Sequence, residues 1–161
     1  MKISIKKLFF CFVFLLIFSL SAKTQNLKTS VIIPCYYKHF KYLNVLLDCY
    51  SKQTLLPDEI VVSVSESHLI DPVLFQQIEK KKKRYPFVLK IFKTNEKKFP
   101  GANRNIGSLN SIGDVLIYQD ADDLPVPRRV EVIKYFFENF DMNLLTHLIH
   151  RDTRRQFREE K

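Results

Sequence analysis

The stretch GANRNIGSLNSIGDVLIYQDADDLPVPRRVE, from Gly101 to Glu131, decides the fold. Gly101 to about Ser111 reads as a short helix. Asp114 to Gln119 (DVLIYQ) reads as a strand, bounded in front by Gly113. Asp120, Asp122 and Asp123 follow that strand at once. From Pro127 to Phe140 the residues Val130, Ile133, Phe136 and Phe137 recur at helical spacing. The order is helix, strand, acidic turn, helix.

The same alternation extends back toward the N-terminus. Thr29 to Ile33 (TSVII) is a buried strand, stopped by Pro34. His39 to Ser51 carries Phe40, Leu43, Leu46, Leu47 and Tyr50 on one helical face. Glu59 to Val64 (EIVVSV) is a second strand. Asp71 and Pro72 form a helix start, an N-cap followed by proline at the first helical position, and that helix runs to about Arg84. Phe87 to Lys93 is a third strand, and a further strand is expected to begin within Leu144 to Ile149. Strands alternating with helices indicate βαβ units, an α/β fold with a mostly parallel sheet flanked by helices. Ligands bind such sheets in the crevice at the carboxyl ends of the strands. That directs attention to the residues after Ile33, Val64, Lys93 and Gln119.

Three carboxylates within residues 120–123 repel one another unless something compensates. A hard divalent cation does so, because oxygen ligands suit Mg²⁺ or Mn²⁺. The alternative is an acidic turn in which Asp122 or Asp123 caps the next helix. The wider context bears on the choice. TSVIIPCYYKHFKYLNVLLDCYSKQTLLPDEIVVSV resembles the opening of inverting glycosyltransferases of family 2. The Gly101–Glu131 stretch resembles that family's second signature, an "ARN.G" helix, a glycine and strand, then "DADD" and a proline-bearing helix start. The resemblance covers Thr29 to about Phe140.

This resemblance implies a Rossmann-like GT-A fold, truncated at the C-terminus, with a glycosyltransferase family 2-like domain over residues 28–149 and a basic tail over 150–161. It implies that Pro34, Tyr36 and Glu66 belong to the nucleotide-sugar pocket. Arg104 would face the nucleotide or its diphosphate, where its fork of donors suits phosphate. Asp120 would lie near the ribose or sugar and share the metal with Asp122, the principal ligand, while Asp123 would assist or cap the helix. The implied donor is a UDP-linked sugar, the cofactor Mg²⁺ or Mn²⁺, and the acceptor an unspecified glycan, protein or lipid. An incomplete nucleotide-sugar-binding module is the alternative to an enzyme.

Some positions depart from the family pattern. Where the second strand of the family usually ends in a pair of aspartates, this chain has Val64 and Ser65, then Glu66. Tyr36 and Tyr37 stand where an asparagine is common, and either tyrosine could stack on a base or pack internally. The family's catalytic base is a carboxylate downstream of the DxD. After Phe140 come Asp141, Asp152, Glu159 and Glu160, none in a recognisable motif. The His150-Arg151-Asp152 triplet has none of the companion motifs of a kinase.

With 161 residues the chain holds one domain at most. Hydrophobic residues at 46% and charged residues at 27% exclude a disordered tail and a multi-pass membrane protein. Lysines at 2, 6 and 7 precede a 13-residue run from Leu8 to Leu20, with Ser19, Ser21 and Ala22 at its exit. These are the parts of a signal peptide over residues 1–22, or of a membrane anchor through residues 8–20. Either places the rest in the secretory pathway. The net charge of +9 gathers at Lys80 to Arg84 and at Arg151, Arg154, Arg155 and Arg158. No aromatics interleave them as in single-strand binders, so nucleic acid is not an expected partner. Cys35 and Cys49 lack CxxC or metal spacing and read as two unpaired thiols.

Overall fold

In the computed structural model, which describes residues 26–146, strand β1 (Thr29–Tyr36) forms the spine. Its residues are buried from Thr29 to Cys35, and all of β2 (Glu59–Ser65) is buried. Parallel strands covered on both faces need such continuous apolar runs. With β3 (Val88–Lys93) and β4 (Val115–Tyr118) they make one parallel sheet in the order β3-β2-β1-β4. The connections are α1 (Leu43–Tyr50), α2 (Pro72–Lys82) and α3 (Pro100–Leu109), and α4 (Arg129–Asn139) follows β4.

Side chains alternate across the sheet, which assigns the helices to faces. Val31, Ile33, Ile60 and Val62 join a core with Leu46 and Leu47 of α1, Ile78 of α2 and Val130 of α4. Ile32 points the other way, toward α3. There Gly107 comes so close that a Cβ on it would lie 2.6 Å from Ile32 Cγ2. Gly113, just before β4, is as tightly set: a Cβ there would lie 2.4 Å from Ser30 Oγ.

The amino ends of the strands are tied together by a buried carboxylate. Glu59 Oε1 accepts from Ser30 Oγ at 2.7 Å and from the Ile112 backbone N–H at 2.6 Å. Its Oε2 meets Lys90 Nζ at 2.7 Å, so β1, β2, β3 and the loop before β4 converge on one side chain. Burial alone would raise the Glu59 pKa, but the donors from Lys90, Ser30 and Ile112 outweigh it and hold the group below its ordinary 4.5.

Several expectations need correction. β1 does not stop at Pro34 but runs through it to Tyr36. The Lys28 and Ile32 carbonyls both accept from the β4 side, so even-numbered residues of β1 face β4. Pro34 lies past the last paired residue, Ile32, where no ladder donor is required. The helix expected from His39 starts as a 3-10 turn over Tyr37–Tyr42 and becomes α-helical at Leu43. Neither Asp122 nor Asp123 caps α4, whose N-cap is Arg128 without a side-chain cap. Residues 144–146 are irregular, and the rest of the expected strand lies outside the described residues. The leader or anchor at 1–22 and the tail at 150–161 also lie outside them. The other expected elements are present, including Asp71 capping α2 through Val73 N at 2.8 Å. No disulfide joins Cys35 to Cys49, as expected. Among the described residues no helix is long and apolar enough to cross a membrane.

Removing the Glu59 carboxylate leaves the half-buried Lys90 with the Asn110 carbonyl alone and takes the acceptor from the Ser30 hydroxyl and the Ile112 N–H. Glu59→Ala is expected to cost about 2–4 kcal/mol in urea unfolding, mostly from the donors left without an acceptor. Because the folded pKa is depressed, this stabilisation is complete above the ordinary carboxylate value and lost as pH falls through the lower folded value. The stability gap between the wild-type chain and Glu59→Gln should therefore narrow from neutral pH to about pH 3.

Candidate functional site

The chain order reverses at β1. β1 to β3 step outward in one direction, and the chain then crosses to β4 on the other side of β1. A doubly wound sheet opens a crevice at such a switch point, outside the carboxyl ends of its strands. Here that crevice is a cavity of about 460 Å³, within the range of small-ligand sites. Pro34, Tyr36 and His39 close it from the end of β1, and Asp120, Ala121 and Asp122 from the end of β4. Lys97 to Pro100, Asn103 and Arg104 close it from α3 and its approach.

Each wall has a local cause. Arg104 projects from α3, and its Nη2 meets Asp120 Oδ1 at 2.7 Å. Asn103, one residue earlier, is buried, accepts from Ser63 Oγ at 3.3 Å and donates to the Cys35 carbonyl at 3.5 Å. It fixes α3 to β1 and β2 beside the cavity. Pro100 starts α3, so the helix amino end opens on the cleft with Lys97, Lys98 and Phe99 around it. Backbone N–H groups there and the helix dipole favour an anion.

The acidic turn is shaped by Gln119. Its side-chain amide donates to the carbonyls of Asp120 at 3.2 Å and Asp123 at 3.1 Å, and its Oε1 accepts from Tyr50 O–H at 3.1 Å. The Asp123 N–H closes the turn on the Asp120 carbonyl at 3.3 Å. Asp122 then projects toward the cleft, with Oδ2 at 3.7 Å from His39 Nδ1. Asp123 is not among the cleft-lining residues. Its pKa is raised first by burial, then by the charges of Asp122 and Asp120, with Arg129 opposing. Burial pushes the Cys35 thiol, and the nearby Asp122 charge adds to it, up to about 12, which keeps it neutral behind the wall.

Pro34, Tyr36, Arg104, Asp120 and Asp122 thus meet at one cavity. Glu66 does not line it. It follows β2 in the left-handed region at φ 52°, and its Oε2 is buried without a hydrogen-bond partner among the described residues. Its influence reaches the cleft through Tyr36, whose pKa is raised by burial first, then by Tyr37 and Glu66. Tyr36 packs edge-on against Tyr37, with ring centroids 4.6 Å apart. Sequence reasoning missed His39, Lys97, Lys98, Phe99 and Asn103. Pro100 carried a signal for the α3 end, because proline suits a first helical position and a helix start binds anions.

Among the described residues no group of three or more Asp, Glu, His or Cys side chains is assembled for a metal. A Mg²⁺-type ion that also holds phosphate needs one or two carboxylates, with phosphate oxygens and waters completing the shell. The oxygen donors of Asp122 and Asp120 fit that requirement.

A parallel sheet with its cleft at the β1/β4 switch point and an acidic turn at the β4 end defines a Rossmann-like fold of the GT-A class. The model of Glycosyl transferase family 2 matches residues 30–161, and the chain belongs to that family. A search among curated proteins finds no significant match. Among solved structures, S. aureus TarS 1-349 in complex with UDP is 26% identical, with a TM-score of 0.56 over 68% of this chain and 32% of that one. The same protein in complex with UDP-GlcNAc matches with 26% identity and a TM-score of 0.56, over 68% of this chain and 31% of that one. The mannosyltransferase PcManGT from Pyrobaculum calidifontis, in complex with GDP-Man and Mn²⁺, matches with 19% identity and a TM-score of 0.57. That match covers 77% of this chain and 40% of that one, and shares the fold. The chain therefore spans about a third of the TarS 1-349 structures.

Gln119 holds the acidic turn through buried bonds that an apolar side chain cannot make. Gln119→Leu is expected to destabilise the chain by about 2–4 kcal/mol in urea unfolding. Tyr50→Phe, which removes one of those bonds, should cost about 1 kcal/mol.

Proposed function

We propose that the cleft binds a nucleotide-activated sugar together with Mg²⁺ or Mn²⁺, and that the chain serves transfer of that sugar to an acceptor. The observation that carries this reading is the convergence of Arg104, Asp120 and Asp122 on one cavity between the β1 and β4 ends. Family membership and the donors held by the solved neighbours support it.

The roles follow from the chemistry of the side chains. Asp122, with Asp120 beside it, would hold the metal, which when bound neutralises the diphosphate and stabilises it as a leaving group. Arg104, steadied by Asp120, presents guanidinium donors to phosphate oxygens. The α3 amino end and Lys97 add positive potential on the same side, where Lys98 is paired with Glu96. Tyr36 offers a ring face to the nucleoside. The GDP and UDP donors of the neighbours leave the base of this donor open to either.

The carboxylates lining the cleft, Asp120 and Asp122, are both engaged in donor binding on this reading. Neither is left to deprotonate an acceptor, a task that inverting transfer assigns to a general base. This favours a donor-binding role for the described residues, with the base supplied from elsewhere.

Calorimetric titration with UDP and GDP, with and without Mn²⁺, tests the reading. Mn²⁺ should strengthen diphosphate binding at least tenfold, about 1.4 kcal/mol. Asp122→Asn should remove that gain, and Arg104→Ala should weaken the diphosphates while sparing the nucleosides. Affinity indifferent to metal would remove the role given to Asp122.

A further inference from the structure

The cleft occupies the carboxyl edge of the sheet, and the opposite edge carries a different chemistry. Its loops are pinned by hydrogen bonds, from Ile112 N to Glu59, from Gly113 N to Ser30 Oγ, and from Val88 N to the Asp58 carbonyl. α2 ends at this edge in the basic run Lys80 to Arg84. Lys81 pairs with Asp48 at 3.0 Å. No carboxylate among the described residues lies within ion-pair reach of Lys80, Lys82, Lys83 or Arg84. The acids beside the start of β1 keep their charge but are held against the backbone, Asp58 by Thr29 N and Oγ1 and Asp114 by Lys28 N, and the four cations outnumber them.

Apolar side chains stand at the same edge. Leu109, the last residue of α3, is 86% exposed, and Ile112 is 60% exposed. The chain also enters β1 here. Eight residues separate the apolar run Leu8 to Leu20 from Thr29, at most roughly 32 Å of extended chain. On the anchor reading of residues 8–20, the bilayer that holds the run lies within reach of this edge.

We infer that the amino edge of the sheet is a docking surface for an anionic lipid bilayer. Lys80, Lys82, Lys83 and Arg84 meet the headgroups, Leu109 and Ile112 enter the boundary, and the cleft faces away from the lipid. Each cation near an anionic surface strengthens binding about fivefold. The inference does not depend on what the cleft binds.

The chain contains no tryptophan, so single reporters are clean. Leu109→Trp and Phe99→Trp mark the two ends of α3, about 15 Å apart along its axis. Each full-length variant is mixed with vesicles of phosphatidylcholine, alone or with phosphatidylserine, carrying brominated acyl chains as quencher. Leu109→Trp should be quenched on the anionic vesicles, with Phe99→Trp dark to the quencher. Replacing Lys80, Lys82, Lys83 and Arg84 together by Gln should weaken the anionic response at least tenfold, and high salt should do the same. Equal quenching of both reporters, equal response on neutral vesicles, or indifference to the four substitutions would overturn the inference. So would salt-dependent binding of a DNA duplex through the same four residues without any vesicle response.

Discussion

α3 can sit directly on β1 because residue 107 has no side chain. A Cβ at Gly107 would come within 2.6 Å of Ile32, a contact that packed interiors do not tolerate. Everything on the α3 wall of the cleft follows from that approach. It lets Asn103 reach Ser63 and the Cys35 carbonyl, and it puts Arg104 against Asp120 across the crevice. A larger residue at 107 would lift the helix and separate the two halves of the site. The glycine of the "ARN.G" pattern is thus a distance constraint on the arginine three residues before it.

The two edges of the sheet are organised by different buried polar side chains. Glu59 gathers β1, β2, β3 and the loop before β4 at the amino edge. Gln119 shapes the turn at the carboxyl edge with uncharged bonds. The difference suits their tasks. A charged hub at the carboxyl edge would compete with Asp120 and Asp122 for any cation, whereas an amide orders the turn and leaves their charge available. Buried polar groups bonded from several segments at once favour one arrangement of the backbone around them.

The sheet and its helices were legible in the sequence because parallel strands are continuous apolar runs and the helices carry periodic ones. The residues of the cleft that lie in the family's motifs, Pro34, Arg104, Asp120 and Asp122, were legible for the same local reason. What sequence could not supply was contact between distant segments. Gln119 reads as a strand end until Tyr50 and the turn carbonyls are seen around it. His39 and Lys97 come to the cleft from separate loops, and Glu66 misses it because the left-handed turn after β2 sets it behind Tyr36. Pro34 misled in the opposite sense: proline stops a strand where a donor is needed, and β4 has already ended there.

The most direct measurement is a crystal structure of the chain grown with UDP and Mn²⁺, with manganese located by its anomalous scattering. The expected result is a manganese peak within roughly 2.0–2.6 Å of an Asp122 carboxylate oxygen, with the diphosphate between that ion and the Arg104 guanidinium. Manganese bound away from Asp122, or a nucleotide seated outside the β1/β4 cleft, would contradict it.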